Sequence, residues 1–372
     1  MTAEELAEAK RYSRQHLACA LIDRFVDLVY LAVMALLAGP PIDAWLSEFS
    51  PLESHRSLRL VALLAIVFGV HVLVSFPLSC YSGHVLEHRF GLSRQTFFAW
   101  LWRHAKRVVL AGAFSAVMLL GLFWLIWTTG AYWWLAAAGA FFMVGVVLGQ
   151  LAPVLILPLF YKIRRLDDPQ LHDRLARLAE GTGLSVEGVY RIALSEETVK
   201  AGAMLAGLGR TRRVLLGDTL LDRFTPGEIE VVFAHEVGHH VFRHIPKILV
   251  AGVFCSAAGF WACDRLLAAW VGDFSGTFPY AQVPVYALPL VMLILTLFIT
   301  VLEPLQNSIS RRYEAQCDRY ALKRTGSRGS YVSAFRKLAR VNKADPNPHW
   351  LDVLLFHSHP PIARRLALAD EV

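Results

Sequence analysis

The residues most suited to chemistry in this sequence form the stretch His235-Glu236-Val237-Gly238-His239, which has the pattern H-E-x-x-H. On a helix, residues four apart lie roughly 40° apart around the axis and one turn along it, so both imidazoles can bind one Zn²⁺. Glu236 then lies beside the metal without binding it, and it can take a proton from water whose pKa zinc lowers toward about 7. The pattern predicts zinc-dependent hydrolysis, with one Zn²⁺ per chain.

The residues around the motif predict the helix that must carry it. Thr225 and Glu228 match a capping box, with a proline at the first helical position between them. If this helix continues past the motif, His244 lies about 140° around the axis from His239 and points elsewhere. We therefore expect His240 and His244 on a polar face or at an interface, and the third metal ligand on another element.

A second acidic pair, Glu314 and Asp318, lies one helical turn apart in an N-x-x-S-R-x-x-E-x-x-x-D run. Catalytic zinc usually has three protein ligands and keeps its fourth position for water. Glu314 can be the third ligand, while Asp318 can accept a hydrogen bond from a ligand imidazole and fix its tautomer. Together they give the two-histidine, one-glutamate set of a gluzincin; the alternative for Glu314 is a solvated helix charge.

The last cluster of interest is His359-Pro360-Pro361, followed by Arg365. By itself it predicts a helix start, with prolines at the N-terminus and arginines in the first turns. If that helix packs beside the zinc, His359 and Arg365 can stabilise the oxyanion of a tetrahedral intermediate. The predicted catalytic residues are therefore Glu236, His359, Asp318 and Arg365.

The composition places this chemistry at a membrane. The 372 residues are 55% hydrophobic and 18% charged, with a mean hydropathy of +0.44, which excludes a disordered chain. The 25 glycines show no period of three, and 5 cysteines are too few for a secreted disulfide scaffold. A spanning helix needs about 20 apolar residues. We expect six spans, at residues 25–42, 60–80, two within 108–161, 248–263 and 274–302.

The positive charge orients these spans. The chain has a net charge of +7, and its arginines and lysines are concentrated in alternate loops. By the positive-inside rule, both termini and the polar region at 162–247 face the cytoplasm. This distribution explains the basic pI of 9.2 without a nucleic-acid partner. Strand-like runs at 189–194 and 213–216 predict a small sheet in the polar region.

Taken together, these residues resemble the integral-membrane zinc metalloproteases of the CAAX prenyl protease (type I) family. The resemblance rests on residues 85–96 (VLEHRFGLSRQT), the H-E-x-x-H motif, the run containing Glu314 and Asp318, and the His359-Pro360-Pro361 segment with Arg365. It covers nearly the whole chain. It implies a mainly α fold, a polytopic helical membrane protein with a cytoplasmic gluzincin-type zinc protease domain that contains a small β-sheet.

The resemblance also implies a chamber between the membrane helices and a substrate peptide added as a strand near Gly202-Ala203. Members of this family usually have asparagine where this chain has Gly202. The glycine lacks the side chain that would make one polar contact to the substrate. Family members usually have alanine where this chain has Cys317, and seven spans rather than six. The predicted parts of the chain are a membrane domain at 1–160 with about four spans, a catalytic insert at 161–247, two spans at 248–302 and a catalytic segment at 303–372.

The function implied is hydrolysis of peptide bonds near the cytoplasmic membrane face, with a peptide or protein substrate that is lipidated or membrane-inserted. Alternatives are a quality-control protease of the heat-shock type and a non-catalytic membrane scaffold with a structural zinc. Arginine predominates over lysine, and alanine and leucine are frequent, as expected from a GC-rich bacterial genome. We therefore expect a bacterial inner membrane, with the endoplasmic reticulum membrane as the alternative. Since bacteria generally lack protein prenylation, CAAX cleavage would then be an activity in vitro.

Overall fold

The computed structural model describes residues 1–183, 189–207, 213–271 and 278–371. Within these residues the chain is mainly helical, as predicted, with four short strands. Three π-helical segments, Met34–Ala38, Tyr81–Leu86 and Ala152–Ile156, continue the helices that precede them. The helices of the N-terminal half, α1 to α7, are Ala3–Val33, Gly39–Ser47, Ser50–Ser54, Arg56–Cys80, Glu87–Arg89, Phe97–Thr129 and Trp133–Leu151.

The rest of the described chain combines the four strands with eight helices. The strands β1 to β4 are Ile163–Arg165, Val189–Ile192, Ala203–Ala206 and Arg213–Gly217. The helices α8 to α15 are Pro169–Ala179, Asp218–Leu221, Pro226–Val241, His244–Val271, Leu288–Thr325, Arg328–Val341, Trp350–Phe356 and Ile362–Glu371.

Five helical segments of the described chain are long and apolar enough to cross a membrane. They are Ala3–Ser47, Arg56–Arg89, Phe97–Leu159, His244–Val271 and Val285–Thr325. The third consists of two helices, α6 and α7, because Gly130 adopts a positive φ of 59° that ends α6 and lets the two helices pack together. The first five expected spans therefore fall in the first four segments, and the fifth segment contains the last expected span only from Val285 onward.

The last span differs from its prediction in position and length. Residues 274–277 of the expected span lie outside the described part of the chain, and residues 278–287 form short turns before α12 begins at Leu288. Helix α12 then continues without a break for 38 residues and ends at Gly326, which has a left-handed φ of 61°. The helix that leaves the apolar region is therefore the same helix that carries Glu314 and Asp318.

The sheet has the strand order β1-β2-β4-β3. Strands β2 and β4 are parallel, with Val189 opposite Val214, while the outer pairs are antiparallel. Val214 and Leu216 are fully buried and pack with apolar residues of α8 and α10, including Leu175 and Phe233. This burial fixes α10 against one face of the sheet and leaves β3 as an edge strand.

Helix α10 begins and ends at identifiable signals. The predicted capping box is present. The Thr225 hydroxyl accepts a hydrogen bond from the backbone N–H of Glu228, and the Glu228 carboxylate accepts one from the backbone N–H of Thr225. The helix ends at Val241, and Arg243 then adopts a positive φ of 54°. Because this turn redirects the chain, α11 starts at His244 as a separate helix.

Helices α10 and α12 cross in close contact at Gly238. A Cβ atom at this position would lie 3.1 Å from both Cα and Sγ of Cys317. The glycine inside the H-E-x-x-H motif therefore allows the two helices to approach closely enough to bring the histidines of α10 against the carboxylates of α12.

Helix α1 connects the apolar region with the polar region. Near its middle, Arg24 forms an ion pair with Glu303 of α12 at 2.7 Å, and near its start Glu5 pairs with Arg340 of α13 at 3.2 Å. Ion pairs at or near a surface contribute only about 0–1 kcal/mol each. These two pairs join α1 to α12 and α13.

Substitution of Gly238 by valine should destabilise the protein by about 1–3 kcal/mol, because the added methyl groups would overpack the contact with Cys317. A suitable control is Gly329→Val on α13, where nothing lies within 4 Å of an added Cβ. Thermal unfolding of both variants in detergent measures the effect. Equal shifts in the two variants would show that the α10–α12 contact is not close-packed.

Candidate active site

Three of the predicted site residues meet around the carboxylate of a fourth, Glu314 on α12. Its Oε2 lies 3.0 Å from Nε2 of His235, and its Oε1 lies 3.2 Å from Nε2 of His239. Nε2 of His359 lies 3.3 Å from Oε2. The two histidines of the motif, one turn apart on α10, thus point the same ring nitrogen at the same group, as the helical spacing predicts.

Asp318, one turn further along α12, contacts the other side of His235. Its Oδ1 lies 2.9 Å from Nδ1 of His235, and the carboxylate is completely buried. An N–H at Nδ1 that donates to Asp318 leaves the lone pair at Nε2, where a metal can bind it. Asp318 therefore has the position expected of a group that fixes the tautomer of a ligand histidine.

Arg365 is placed differently from the sequence-based expectation. Its Nε and Nη2 donate to the two oxygens of Asp318 at 2.8 and 2.6 Å, and its guanidinium lies 4.0 Å from the centre of the Phe335 ring. The side chain is buried behind His235, whereas the side chain of His359 is 59% exposed. This geometry favours a role for Arg365 in holding Asp318 over direct contact with a substrate.

Glu236 follows His235 on α10 and is half-buried. Its predicted role as proton acceptor stays a prediction. His359 lies in the turn before α15, and Pro360 and Pro361 lie between it and the start of that helix at Ile362, as predicted. The exposed edge of its ring is accessible to a substrate that approaches the Glu314 carboxylate.

The two carboxylates of the cluster change the pKa of His235. Burial alone would lower the pKa of this imidazole, but its hydrogen bonds to Asp318 and Glu314 outweigh burial and raise the pKa to about 9. Between the Asp318 and Glu314 carboxylates, the ring is stable with a cationic charge. Either a proton or a metal cation at Nε2 supplies the positive charge that the two carboxylates favour.

The donor set fits a metal ion with two nitrogen ligands and one oxygen ligand. The Nδ1 atoms of His235 and His239 already face Asp318 and another histidine, so only their Nε2 atoms are available, and both face Glu314. Donor atoms of His235, His239 and Cys317 also lie within 4.8 Å of one another. Because the available lone pairs face the carboxylate, Glu314 suits the third position better than Cys317 does.

The sequence-based expectation for His244 is wrong in direction: the residue lies at an interface, between α11 and α12, but its ring points toward the site. The residue is fully buried, and its Nδ1 lies 3.1 Å from Nδ1 of His239. The expectation assumed one continuous helix, but the positive φ of Arg243 ends α10 and returns the chain toward the site. A glycine or an asparagine at this position would have suggested a left-handed backbone, but an arginine does not.

The edge strand β3 packs against α10, and Asn342, which follows α13, binds the backbone two residues before the strand. The side-chain amide of Asn342 donates to the backbone carbonyl of Ala201 at 3.2 Å and accepts from its N–H at 2.8 Å. The carbonyl of Gly202 instead accepts from Gly217 on β4. Because strand residues alternate, the backbone groups of Ala203 face the open edge.

Metal binding to the protein should release a proton from His235, because its neutral imidazole is the ligand form. Because the pKa of His235 is raised in the fold, its bound proton also stabilises the metal-free protein. This contribution to the free energy of unfolding is fully present below the ordinary pKa of about 6.5 and is lost as the pH rises through about 9. Affinity for Zn²⁺ should therefore keep rising with pH up to about 9, instead of levelling off above 7.5.

Calorimetric titration of the metal-stripped protein with Zn²⁺ between pH 6 and 9.5, in two buffers of different ionisation enthalpy, measures both the affinity and the protons released. An affinity that is flat above pH 7.5 would contradict the raised pKa.

Comparison with known proteins identifies the family. Residues 1–162 match the family described as the CAAX prenyl protease N-terminal region with five membrane helices, and residues 165–372 match peptidase family M48. The chain is 27% identical to the uncharacterized metalloprotease YhfN of Bacillus subtilis in an alignment of 378 positions. The alignment covers 100% of this chain and 87% of the relative. It is 28% identical to CAAX prenyl protease 1 of Saccharomyces cerevisiae over 376 residues, with 96% and 81% covered.

The crystal structure of S. mikatae Ste24p shows the same fold, with a TM-score of 0.84 at 24% identity over 100% of this chain and 89% of that one. These matches confirm the predicted polytopic helical fold and the predicted protease activity over the scaffold alternative. The chain therefore belongs to peptidase family M48 and is a multi-pass membrane metalloprotease of the CAAX prenyl protease group.

Proposed function

We propose that this chain is a zinc-dependent endopeptidase in which His235, His239 and Glu314 hold one Zn²⁺. The observation that carries the proposal is the convergence of two Nε2 atoms on one buried carboxylate, at 3.0 and 3.2 Å. When bound, zinc supplies Lewis acidity, which polarises a scissile carbonyl and lowers the pKa of water toward about 7. Nitrogen and carboxylate ligands in this number are typical of catalytic zinc sites.

The proton transfers fall to Glu236. It lies beside His235 on α10 and outside the proposed ligand set, and we assign to its carboxylate the acceptance of a proton from the attacking water. The same carboxylate can then deliver that proton to the amine that leaves. His359, exposed beside Glu314, is positioned to donate a hydrogen bond to the oxyanion that develops from the carbonyl.

The open edge of β3 is the proposed binding site for the peptide backbone. A substrate strand that pairs with Ala203 would obtain both backbone hydrogen bonds from that residue, while Asn342 already occupies the neighbouring outward position at Ala201. Gly202 offers no side chain to the substrate, so recognition at this place depends on the backbone.

An apolar cavity of about 420 Å³ supports a substrate with an apolar group next to this strand. It lies between β3, α7 and the start of α11, and its lining includes Gly145, Met204, Ile245 and Leu249. Since Met204 and Ala206 alternate with Ala203 along the strand, they face this cavity from one side of β3. We propose a substrate that is lipidated or inserted in the membrane.

The proposed location is a bacterial inner membrane with the site on the cytoplasmic side. The support is the distribution of arginine and lysine in alternate loops, which also places the polar region after α7 with the cytoplasmic loops. A site there would act on segments of membrane proteins that emerge into the cytoplasm.

Replacing Glu236 with glutamine should lower the turnover number by about 10²–10⁴-fold, because the amide cannot accept the proton from water. Zinc content should remain one per chain, since Glu236 is outside the ligand set. Turnover can be measured with a fluorescence-quenched peptide in which a farnesylated cysteine is followed by three further residues, and with the same peptide lacking the lipid. Glu230→Gln on the same helix is the control, because Glu230 pairs with Arg174 of α8. Unchanged hydrolysis by Glu236→Gln would refute the role.

The third ligand can be tested by comparing two variants of α12. Glu314→Ala should reduce the zinc content well below one per chain, because the site then loses its anionic ligand, while Cys317→Ala should leave it unchanged. Metal analysis after dialysis against submicromolar Zn²⁺ gives the ratio of metal to protein. The reverse pattern, loss in Cys317→Ala and retention in Glu314→Ala, would assign the third position to the cysteine.

A further inference from the structure

His244 is a buried residue close to the proposed centre that has no part in the chemistry described above. It is the first residue of α11 and is completely buried. Its Nδ1 lies 3.1 Å from Nδ1 of His239, on the side of that ring opposite the Nε2 that faces Glu314. This position is too far behind the ring for His244 to be a fourth ligand together with His239.

Two neighbours on α12 orient the His244 ring, and a third, Cys317, has its Sγ 3.7 Å from Nδ1 of His244. The ring of Tyr313 is stacked on it, with centroids 4.1 Å apart and an angle of 12° between the planes. Its Nε2 lies 3.0 Å from Oε1 of Gln316. Stacking fixes the plane of the imidazole and the amide fixes its rotation, so the orientation of the Nδ1 lone pair is determined by the fold.

The hydrogen-bond directions follow from the chemistry of each atom. The Gln316 oxygen accepts, so Nε2 of His244 carries the proton and Nδ1 of His244 has a lone pair. That lone pair accepts from the N–H at Nδ1 of His239, which leaves the Nε2 lone pair of His239 directed at Glu314. The reverse direction would protonate Nε2 of His239 and block metal binding.

We infer that His244, oriented by Gln316 and Tyr313, is a positioning residue that fixes the tautomer and the rotation of His239 for metal binding. The inference rests on the proposed function, because it takes His239 as a metal ligand. His244 would serve His239 as Asp318 serves His235, but as a neutral acceptor instead of an anionic one. Such partners of ligand histidines typically contribute 10–100-fold in metal affinity.

The test separates the hydrogen bond from the packing. His244→Phe keeps a ring on Tyr313 but removes the acceptor, whereas His244→Asn places an amide oxygen near the position of Nδ1. We expect His244→Phe to weaken Zn²⁺ binding by about 10–100-fold and His244→Asn to recover most of the loss. His172→Phe, at an exposed position on α8, is the control. Chelator competition on the full-length protein in detergent gives the affinities, and thermal unfolding of the metal-stripped variants shows whether the fold is retained.

A second pair of variants applies if His244→Phe does not fold. Gln316→Glu keeps an acceptor facing His244, while Gln316→Lys offers only donors and should reverse the hydrogen-bond direction. Gln316 is exposed, so both variants should fold. We expect weaker zinc binding in Gln316→Lys and unchanged or stronger binding in Gln316→Glu.

The outcomes distinguish the two levels of the proposal. Failure of the unaltered protein to bind one Zn²⁺ would refute the proposed centre itself. One bound Zn²⁺ with the same affinity in His244→Phe, or in both Gln316 variants where His244→Phe does not fold, would refute the role of His244 and leave the centre intact.

Discussion

The contact between α10 and α12 determines the whole site. Helix α10 supplies two imidazoles at a spacing fixed by the helical repeat, but neither is useful without an anionic group between them. That group, Glu314, comes from a helix 79 residues further along the chain than His235. The two helices can approach only because position 238 has no side chain, with Cys317 directly opposite it. One glycine therefore has both a packing role and an indirect role in the chemistry.

The buried charges explain why the cluster favours a cation. Glu314, Asp318 and Arg365 are all buried, and the two carboxylates and one guanidinium leave a net charge of about −1. An uncompensated buried charge is costly, so the site stabilises a positive charge at His235, where the pKa rises to about 9. A divalent cation at Nε2 of a neutral His235 would more than offset this negative charge. The pairing of Arg365 with Asp318 limits the excess negative charge, which otherwise would have to be balanced by the metal alone.

The parts of the fold and site that the sequence predicts are those set by local rules. The capping box at Thr225, the helix through the motif and the helix after Pro361 follow from signals within a few residues. The composition likewise predicts the apolar segments. The pairing of Asp318 with His235 was predictable as chemistry, since a ligand histidine needs an acceptor, and the E-x-x-x-D spacing puts both carboxylates on one face.

The parts that the sequence does not predict depend on backbone turns and long-range packing. The position of His244 depends on the left-handed backbone of Arg243. Helix propensities predict instead that the helix continues through this arginine. The position of Arg365 depends on α15 packing against α13, where Phe335 lies under its guanidinium. Helix α12 also starts later than predicted, at Leu288, because the apolar residues 278–287 form turns and are not part of the helix.

The continuity of α12 has a further structural consequence. Glu314 lies 12 residues past Leu302, the last residue of the expected span, so a rigid helix places it about 18 Å beyond that point. Helix α11, which begins with His244, runs back into the apolar region beside α12. Two membrane helices thus bring side chains directly to the cluster, one a carboxylate and the other an imidazole. The distance between Leu302 and the cluster is therefore set by the geometry of α12.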